Sequence, residues 1–179
     1  MAIEIEKKYR LTEEQKQFVI NSLKELNANF MSEDFEEIII YGGGILSEKR
    51  AILRVRKTQD KTILTYKKRI QNEFNIKQQI EHETEIANAA ELEKIIENLG
   101  FAPQIVYEKR RKTWKFRAVE IVLDKLPFGD FMEIEGAITA IAEAEMLLDI
   151  EHFETEYETY PGLTMRLGKR NGNLVEARF

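Results

Sequence analysis

The chain of 179 residues carries 27 Lys and Arg against 32 Asp and Glu, a formal net charge of −5, with 43% hydrophobic and 33% charged residues. That balance suits one folded domain over residues 1–179 and excludes a sequence-wide basic surface for nucleic acid. The absence of cysteine, with two widely separated histidines, His82 and His152, excludes disulfides, thiolate metal sites and histidine-rich zinc, so any metal is expected on oxygen.

No apolar run reaches membrane-spanning length and no leader pattern opens the chain, so a cytoplasmic protein without membrane contact is expected. Residues 2–9 alternate Ile3 and Ile5 with Glu4, Glu6 and Lys8, the period of a strand. A helix follows: Thr12 and Gln15 form a capping box, Glu13 and Glu14 suit the positive end of the dipole, and Val19, Leu23 and Leu26 share one face. From Asn29 to Ile86 the pattern is that of strands, with 51–57 and 62–69 a hairpin around Thr58-Gln59-Asp60. The "YGGG" at 41–44 lacks the Gly-Lys-Ser/Thr of a phosphate loop and predicts a flexible hairpin turn.

Asn88 and Glu91 predict a second capping box, opening a helix over 89–99 whose buried stripe is Leu92, Ile95, Ile96 and Leu99. Strands are expected at 105–117, 118–125 and 130–135, with a turn at Pro127–Asp130, and a helix at 137–149. The tail from Tyr160 gives no clear pattern. Trp114, Tyr107 and Phe116 are expected to pack rather than to stack a nucleobase.

Alternate charges on one strand are ordinarily a water-facing surface. Here the pattern recurs on strand after strand: Glu4, Glu6 and Lys8; Arg54 and Arg56; Lys67 beside Thr65; Glu81, Glu83 and Glu85; Lys109 and Arg111; Glu133 and Glu135. Strands that close into a barrel with the apolar side outward, under helices, would gather these charges in a lumen. Burying unpaired charges costs several kcal/mol each, so such a lumen must be wet, internally paired or filled by a charged ligand. Metal-bound polyphosphate satisfies both signs, with Arg and Lys on phosphate oxygens and carboxylates on Mg²⁺ or Mn²⁺.

Taken in order, Glu4-x-Glu6-x-Lys8, Arg54-x-Arg56 in "LRVR", Lys67 in "LTYKKR", the acidic strand "IEHETEI", Lys109-x-Arg111, Asp124 in "VLDKLPFGDF" and Glu133-x-Glu135 in "MEIEG" resemble the CYTH superfamily, the triphosphate tunnel metalloenzymes. "TYPGL" at 159–163 is similar to the segment after the late helix in many members. The resemblance implies an α+β fold, an eight-stranded antiparallel β-barrel tunnel with a charged lumen and helices packed outside. It implies metal ligation by Glu4, Glu6, Asp124, Glu133 and Glu135, and triphosphate binding by Lys8, Arg54, Arg56, Lys67, Lys109 and Arg111. Glu4, Glu6, Lys8, Glu83 and Asp124 would be catalytic, with Glu81 an alternative to Glu83, and Lys169 the candidate for a C-terminal functional lysine.

The expected activity is hydrolysis of the terminal phosphoanhydride of tripolyphosphate, a nucleoside triphosphate or thiamine triphosphate. The alternative is a class IV adenylyl cyclase that forms cyclic AMP and pyrophosphate from ATP. A third expectation, ranked below both, is a non-catalytic polyphosphate or nucleotide binder. The expected partner is the small-molecule triphosphate, without nucleic acid or membrane, and a homodimer is compatible with the pattern. Arg110 and Lys112 are expected to be solvated neighbours of the site strand, and His82 to lie on the opposite face of its own.

Overall fold

The computed structural model describes residues 5–70 and 78–179. In chain order its elements are β1 (Glu6–Leu11), α1 (Glu13–Glu25), β2 (Asn29–Gly42), α2 (Gly44–Glu48), β3 (Ala51–Lys57), β4 (Thr62–Ile70), β5 (Gln78–Ile86) and α3 (Ala89–Asn98). There follow β6 (Ala102–Phe116), β7 (Val119–Leu126), β8 (Gly129–Glu135), α4 (Ile138–Leu148), α5 (Tyr160–Leu167), β9 (Lys169–Asn171) and β10 (Leu174–Ala177). This is the expected α+β succession, with strands β1 to β8 paired antiparallel wherever their register is defined. The chain forms two compact units. The first comprises Glu36–Glu108 with Tyr160–Arg178, the second residues 5–35 with Lys109–Thr159 and Phe179, so β2 and β6 contribute to both.

In the second unit the strands run β1-β8-β7-β6. Registers Tyr9↔Met132, Ile134↔Ile121 and Trp114↔Ile121 place these buried side chains on one face, as a two-residue period requires. Val19 and Leu23 of α1, with Ile141, Ala144 and Leu148 of α4, complete the same apolar cluster. Spacings of three and four residues put each helical set on one stripe. The α1 capping box forms as its sequence predicts: Thr12 Oγ1 accepts from the Gln15 N–H at 3.1 Å, and the Gln15 side chain accepts from the Thr12 N–H at 2.9 Å.

In the first unit, β2, β3, β4 and β5 follow one another, and β10 lies parallel to β6. Ile39, Tyr41, Val55, Ile96 and Val106 form its core. The hairpin closes at Thr58, whose N–H donates to the Lys61 carbonyl at 2.9 Å. Asn88 caps α3 by accepting from the Glu91 N–H, while the Glu91 carboxylate turns to Lys94 at 2.8 Å. The expected apolar stripe of α3 is half as wide as predicted. Leu92 and Ile96 pack inward, four residues apart, whereas Ile95 and Leu99 are 56% and 67% exposed.

Two further segments depart from expectation. The "YGGG" turn opens the short helix α2, with Gly43 at φ +101° as its N-cap and Gly44 at φ +47°, so the glycines supply left-handed backbone for a helix start rather than a bare hairpin. The tail is ordered. Pro161 lies in the first turn of α5, where its missing N–H is harmless, and Gly168 follows the helix at a point where a Cβ would come within 2.6 Å of the Thr164 carbonyl and 2.8 Å of that of Glu176.

Candidate functional site

On β1 the alternation works as read: Tyr9 and Leu11 enter the core, and Glu6, Lys8 and Arg10 occupy the other face. Register carries that face across the second unit. Lys8 lies opposite Glu133, Glu6 opposite Glu135, and Asp124 opposite Arg111. Lys8 is only 8% exposed; its Nζ is 3.3 Å from Glu133 Oε1 and donates to the Glu158 carbonyl at 3.3 Å. Arg111 grips Asp124 with two donors, Nε to Oδ1 at 2.7 Å and Nη2 to Oδ2 at 2.5 Å, and reaches Glu133 Oε2 at 2.8 Å. Lys109 Nζ approaches Asp124 Oδ2 at 3.5 Å. The result is a chain of alternating sign, Lys8–Glu133–Arg111–Asp124–Lys109, that offsets the desolvation of its members.

The first unit builds a second charged face by the same rule. Arg54, Thr65 and Glu83 lie in one row across β3, β4 and β5, and Lys67 lies opposite Glu81. Arg54 Nη2 stands 3.5 Å from Glu83 Oε2 and 3.7 Å from Glu81 Oε1; Arg56 Nη2 is 3.7 Å from Glu83 Oε2, and Lys67 Nζ is 2.8 Å from Glu81 Oε2. Glu83 thus faces Arg54 and Arg56, Glu81 faces Lys67, and Arg54 is shared by both. The Nε atoms of Arg54 and Arg56 are buried and have no acceptor among the described residues. His82 stacks on Tyr66 at 6.3 Å on the opposite face, as its odd-even position requires.

Neighbouring contacts hold β1 in place. Residues 154–156 run along it, with the Arg10 N–H donating to the Glu154 carbonyl at 3.0 Å and the Glu156 N–H to the Lys8 carbonyl at 2.8 Å. Burial would raise the Glu156 carboxyl, but the Glu158 N–H, the Arg10 guanidinium and the Lys8 charge together hold it below the usual carboxylate range. On the core side, Tyr9 donates to Glu145 Oε1 of α4 at 2.6 Å, and Lys7 pairs with the same oxygen. Burial, then the Glu145 hydrogen bond and charge, push the Tyr9 hydroxyl well above its ordinary range.

Most of the expected site residues therefore fall into two groups: Lys8, Lys109, Arg111, Asp124 and Glu133 in the second unit, and Arg54, Arg56, Lys67, Glu81 and Glu83 in the first. Glu6 and Glu135 share the face of the former group and are exposed; Glu4 lies outside the described residues. Lys169 is exposed on β9. Trp114, Tyr107 and Phe116 are buried as packing residues. Arg110 stacks on Phe179 at 5.3 Å and Lys112 reaches Glu33 at 3.5 Å, both apart from these networks. Sequence reasoning missed Glu120, which lies opposite Glu135 and shares the face of Asp124 four residues on; the alternation of β7 was the available signal. It also missed Arg10, two residues beyond Lys8.

The donors suit a hard divalent cation. Among the described residues no three acids form a ready cage. Mg²⁺ is ordinarily held by one or two carboxylates with waters and substrate phosphates completing its shell, which Glu6 and Glu135 on adjacent strands are placed to provide.

Comparison with known proteins bears on the family and the fold. The pattern of the CYTH domain family matches residues 2–161. The chain is 28% identical over 151 residues to a Methanocaldococcus jannaschii protein described as a candidate adenylate cyclase, covering 82% of this chain and 84% of that one. Among solved structures, the PH1012 protein of Pyrococcus horikoshii OT3 superposes with a TM-score of 0.72 at 25% identity, covering 88% of this chain and 97% of that chain. The Hippeastrum protein HpAC1, described as a candidate adenylyl cyclase with a dominant triphosphatase activity, matches in fold with a TM-score of 0.67 at 17% identity, over 97% of this chain and 100% of that one.

Proposed function

The chain belongs to the CYTH family, and from that premise we propose that it is a divalent-metal-dependent triphosphatase releasing the terminal phosphate of a triphosphate. The observation that carries this reading is the pair of buried Nε donors on Arg54 and Arg56, which find no acceptor among the described residues. Buried donors are normally satisfied, and guanidinium groups match phosphate oxygens with paired hydrogen bonds. In this reading Arg54, Arg56 and Lys67 of the first unit take phosphate oxygens, and Lys8, Lys109 and Arg111 of the second unit are cations of a kind that can do the same.

Glu6 and Glu135 would hold Mg²⁺ or Mn²⁺, with Glu4, Glu133 and Asp124 as further carboxylates of the family pattern. The bound cation supplies charge neutralisation on the phosphate oxygens. Asp124 also holds Arg111 through its two-point grip, and in this reading that guanidinium offsets charge that develops on the leaving oxygen. Glu83 orients a water for in-line attack on the terminal phosphorus; the water oxygen bonds to phosphorus, the bridging oxygen departs with its electron pair, and the water proton passes to the carboxylate or solvent. The substrate class is tripolyphosphate, nucleoside triphosphates or thiamine triphosphate.

A second reading is favoured by the curated relative, described as a candidate adenylate cyclase. There the ribose 3′-hydroxyl of ATP is the nucleophile and pyrophosphate leaves. Phosphate release from tripolyphosphate by the wild type, by Glu6→Gln and by Glu135→Gln tests the leading assignment. We expect turnover only with added Mg²⁺ or Mn²⁺ and a loss of at least about a hundredfold in each variant. Metal-independent turnover, or variants as active as the wild type, contradicts it.

A further inference from the structure

Arg54 and Arg56 share one face of β3, yet their neighbours differ in kind. Arg54 lies opposite Ile40 on β2 and Thr65 on β4; its Nη2 donates to Thr65 Oγ1 at 3.1 Å, and that hydroxyl donates to Glu83 Oε2 at 3.1 Å. Arg56 lies opposite Ile38 on β2 and Ile63 on β4, both apolar and both buried, at 1% and 6% exposure. Directly opposed side chains on neighbouring strands have Cβ atoms about 5 Å apart, so the two isoleucines flank the Arg56 stem and offer it no acceptor. The acid of its own row, Glu85, lies beyond Ile63 on β5. Among the described residues Arg56 makes no hydrogen bond, its buried Nε included, and its one ion-pair contact is Glu83 Oε2 at 3.7 Å. A guanidinium whose side chain is only 23% exposed is thus left without a protein acceptor.

We propose that Ile38 and Ile63 are positioning residues, an apolar collar that withholds acceptors from Arg56 and so reserves its guanidinium for the phosphate oxygens of the ligand. The proposal deepens the triphosphate reading and rests on it. A buried cation without a partner gains more from a phosphate than one already bonded, because the ligand restores what burial removed instead of displacing an existing bond. Threonine at position 63 repeats beside Arg56 what Thr65 provides beside Arg54: a hydroxyl in the same row, two residues along the same strand and so in the same type of antiparallel pair. Valine has the shape of threonine without the hydroxyl. Comparing the two therefore separates the added acceptor from the lost methylene.

Titration calorimetry with metal-free tripolyphosphate, and steady-state kinetics with tripolyphosphate and Mg²⁺, test the collar on the wild type, Ile63→Val and Ile63→Thr. We expect Ile63→Val to bind within about twofold of the wild type and Ile63→Thr about tenfold more weakly, with KM rising in step and kcat changed by less than about threefold. The difference between threonine and valine should vanish in an Arg56→Ala background, since the collar acts through that side chain. A variant that only folds less well loses active protein, which lowers kcat and leaves KM unmoved. Where Ile63→Thr does not fold, Ile38→Thr against Ile38→Val makes the same comparison from β2. Equal affinity in the threonine and valine variants, or a threonine loss that persists in Arg56→Ala, overturns the collar. Binding without turnover leaves the collar standing and removes the triphosphatase reading; neither binding nor turnover by the wild type removes both.

Discussion

Asp124 has no exposed side-chain surface and is matched by Arg111 and Lys109. Removing one member of such a network leaves the others desolvated without compensation, so Asp124→Ala should destabilise the fold by about 3 kcal/mol, read from urea unfolding. A change within experimental error would mean that the ion chain contributes little. Arg54 stands on a different footing, with carboxylates at longer range. Arg54→Ala should raise KM for tripolyphosphate by more than about tenfold while the unfolding midpoint stays close to that of the wild type. Equal KM would remove Arg54 from the phosphate-binding set. These charges were legible in the sequence because a two-residue period assigns each to a face without knowledge of strand partners. The Thr65 hydrogen bonds were not legible, since they depend on which residues face each other across three strands.

Among the elements, the join of β1 to α4 matters most, because β1 carries Lys8 on one face and Lys7 and Tyr9 on the other. Glu145 receives both the Tyr9 hydroxyl and the Lys7 ammonium. Glu145→Leu should cost about 2 kcal/mol of stability by leaving the buried Tyr9 hydroxyl without its acceptor, whereas Tyr9→Phe with Glu145 intact should cost less, about 1 kcal/mol. Denaturant midpoints check the order of the two; the reverse order would contradict this account of the join. The sequence displayed β1 and α4 separately but not this contact, which links residues 136 apart in the chain. Likewise α3 showed its period but not its depth of burial: Leu92 and Ile96 find the core, and Ile95 and Leu99 do not. The tail was opaque because α5 and β10 are short and their signals are tertiary, a parallel pairing with β6 and a glycine required by two close carbonyls.

For the molecule as a whole, acid sensitivity is set by carboxylates that its cations hold ionised. Burial would raise Glu37, but Arg178 and Lys57 outweigh it and hold the carboxyl below its ordinary value of 4.5. A depressed folded-state pKa contributes stability that is present above the unfolded value and is lost as pH falls through the folded one. The stability difference between wild type and Glu37→Gln should therefore be constant at neutral pH and shrink below about pH 4.5; a difference independent of pH from 7 to 3 would contradict this. Hydrolase and cyclase differ in which phosphorus is attacked, and ³¹P NMR of the protein with tripolyphosphate, thiamine triphosphate and ATP, each with Mg²⁺ or Mn²⁺ and a metal-free control, reads that choice. A triphosphatase yields orthophosphate and the corresponding diphosphate, only when metal is present; cyclic AMP with pyrophosphate from ATP, or no turnover of any of the three, would overturn the assignment.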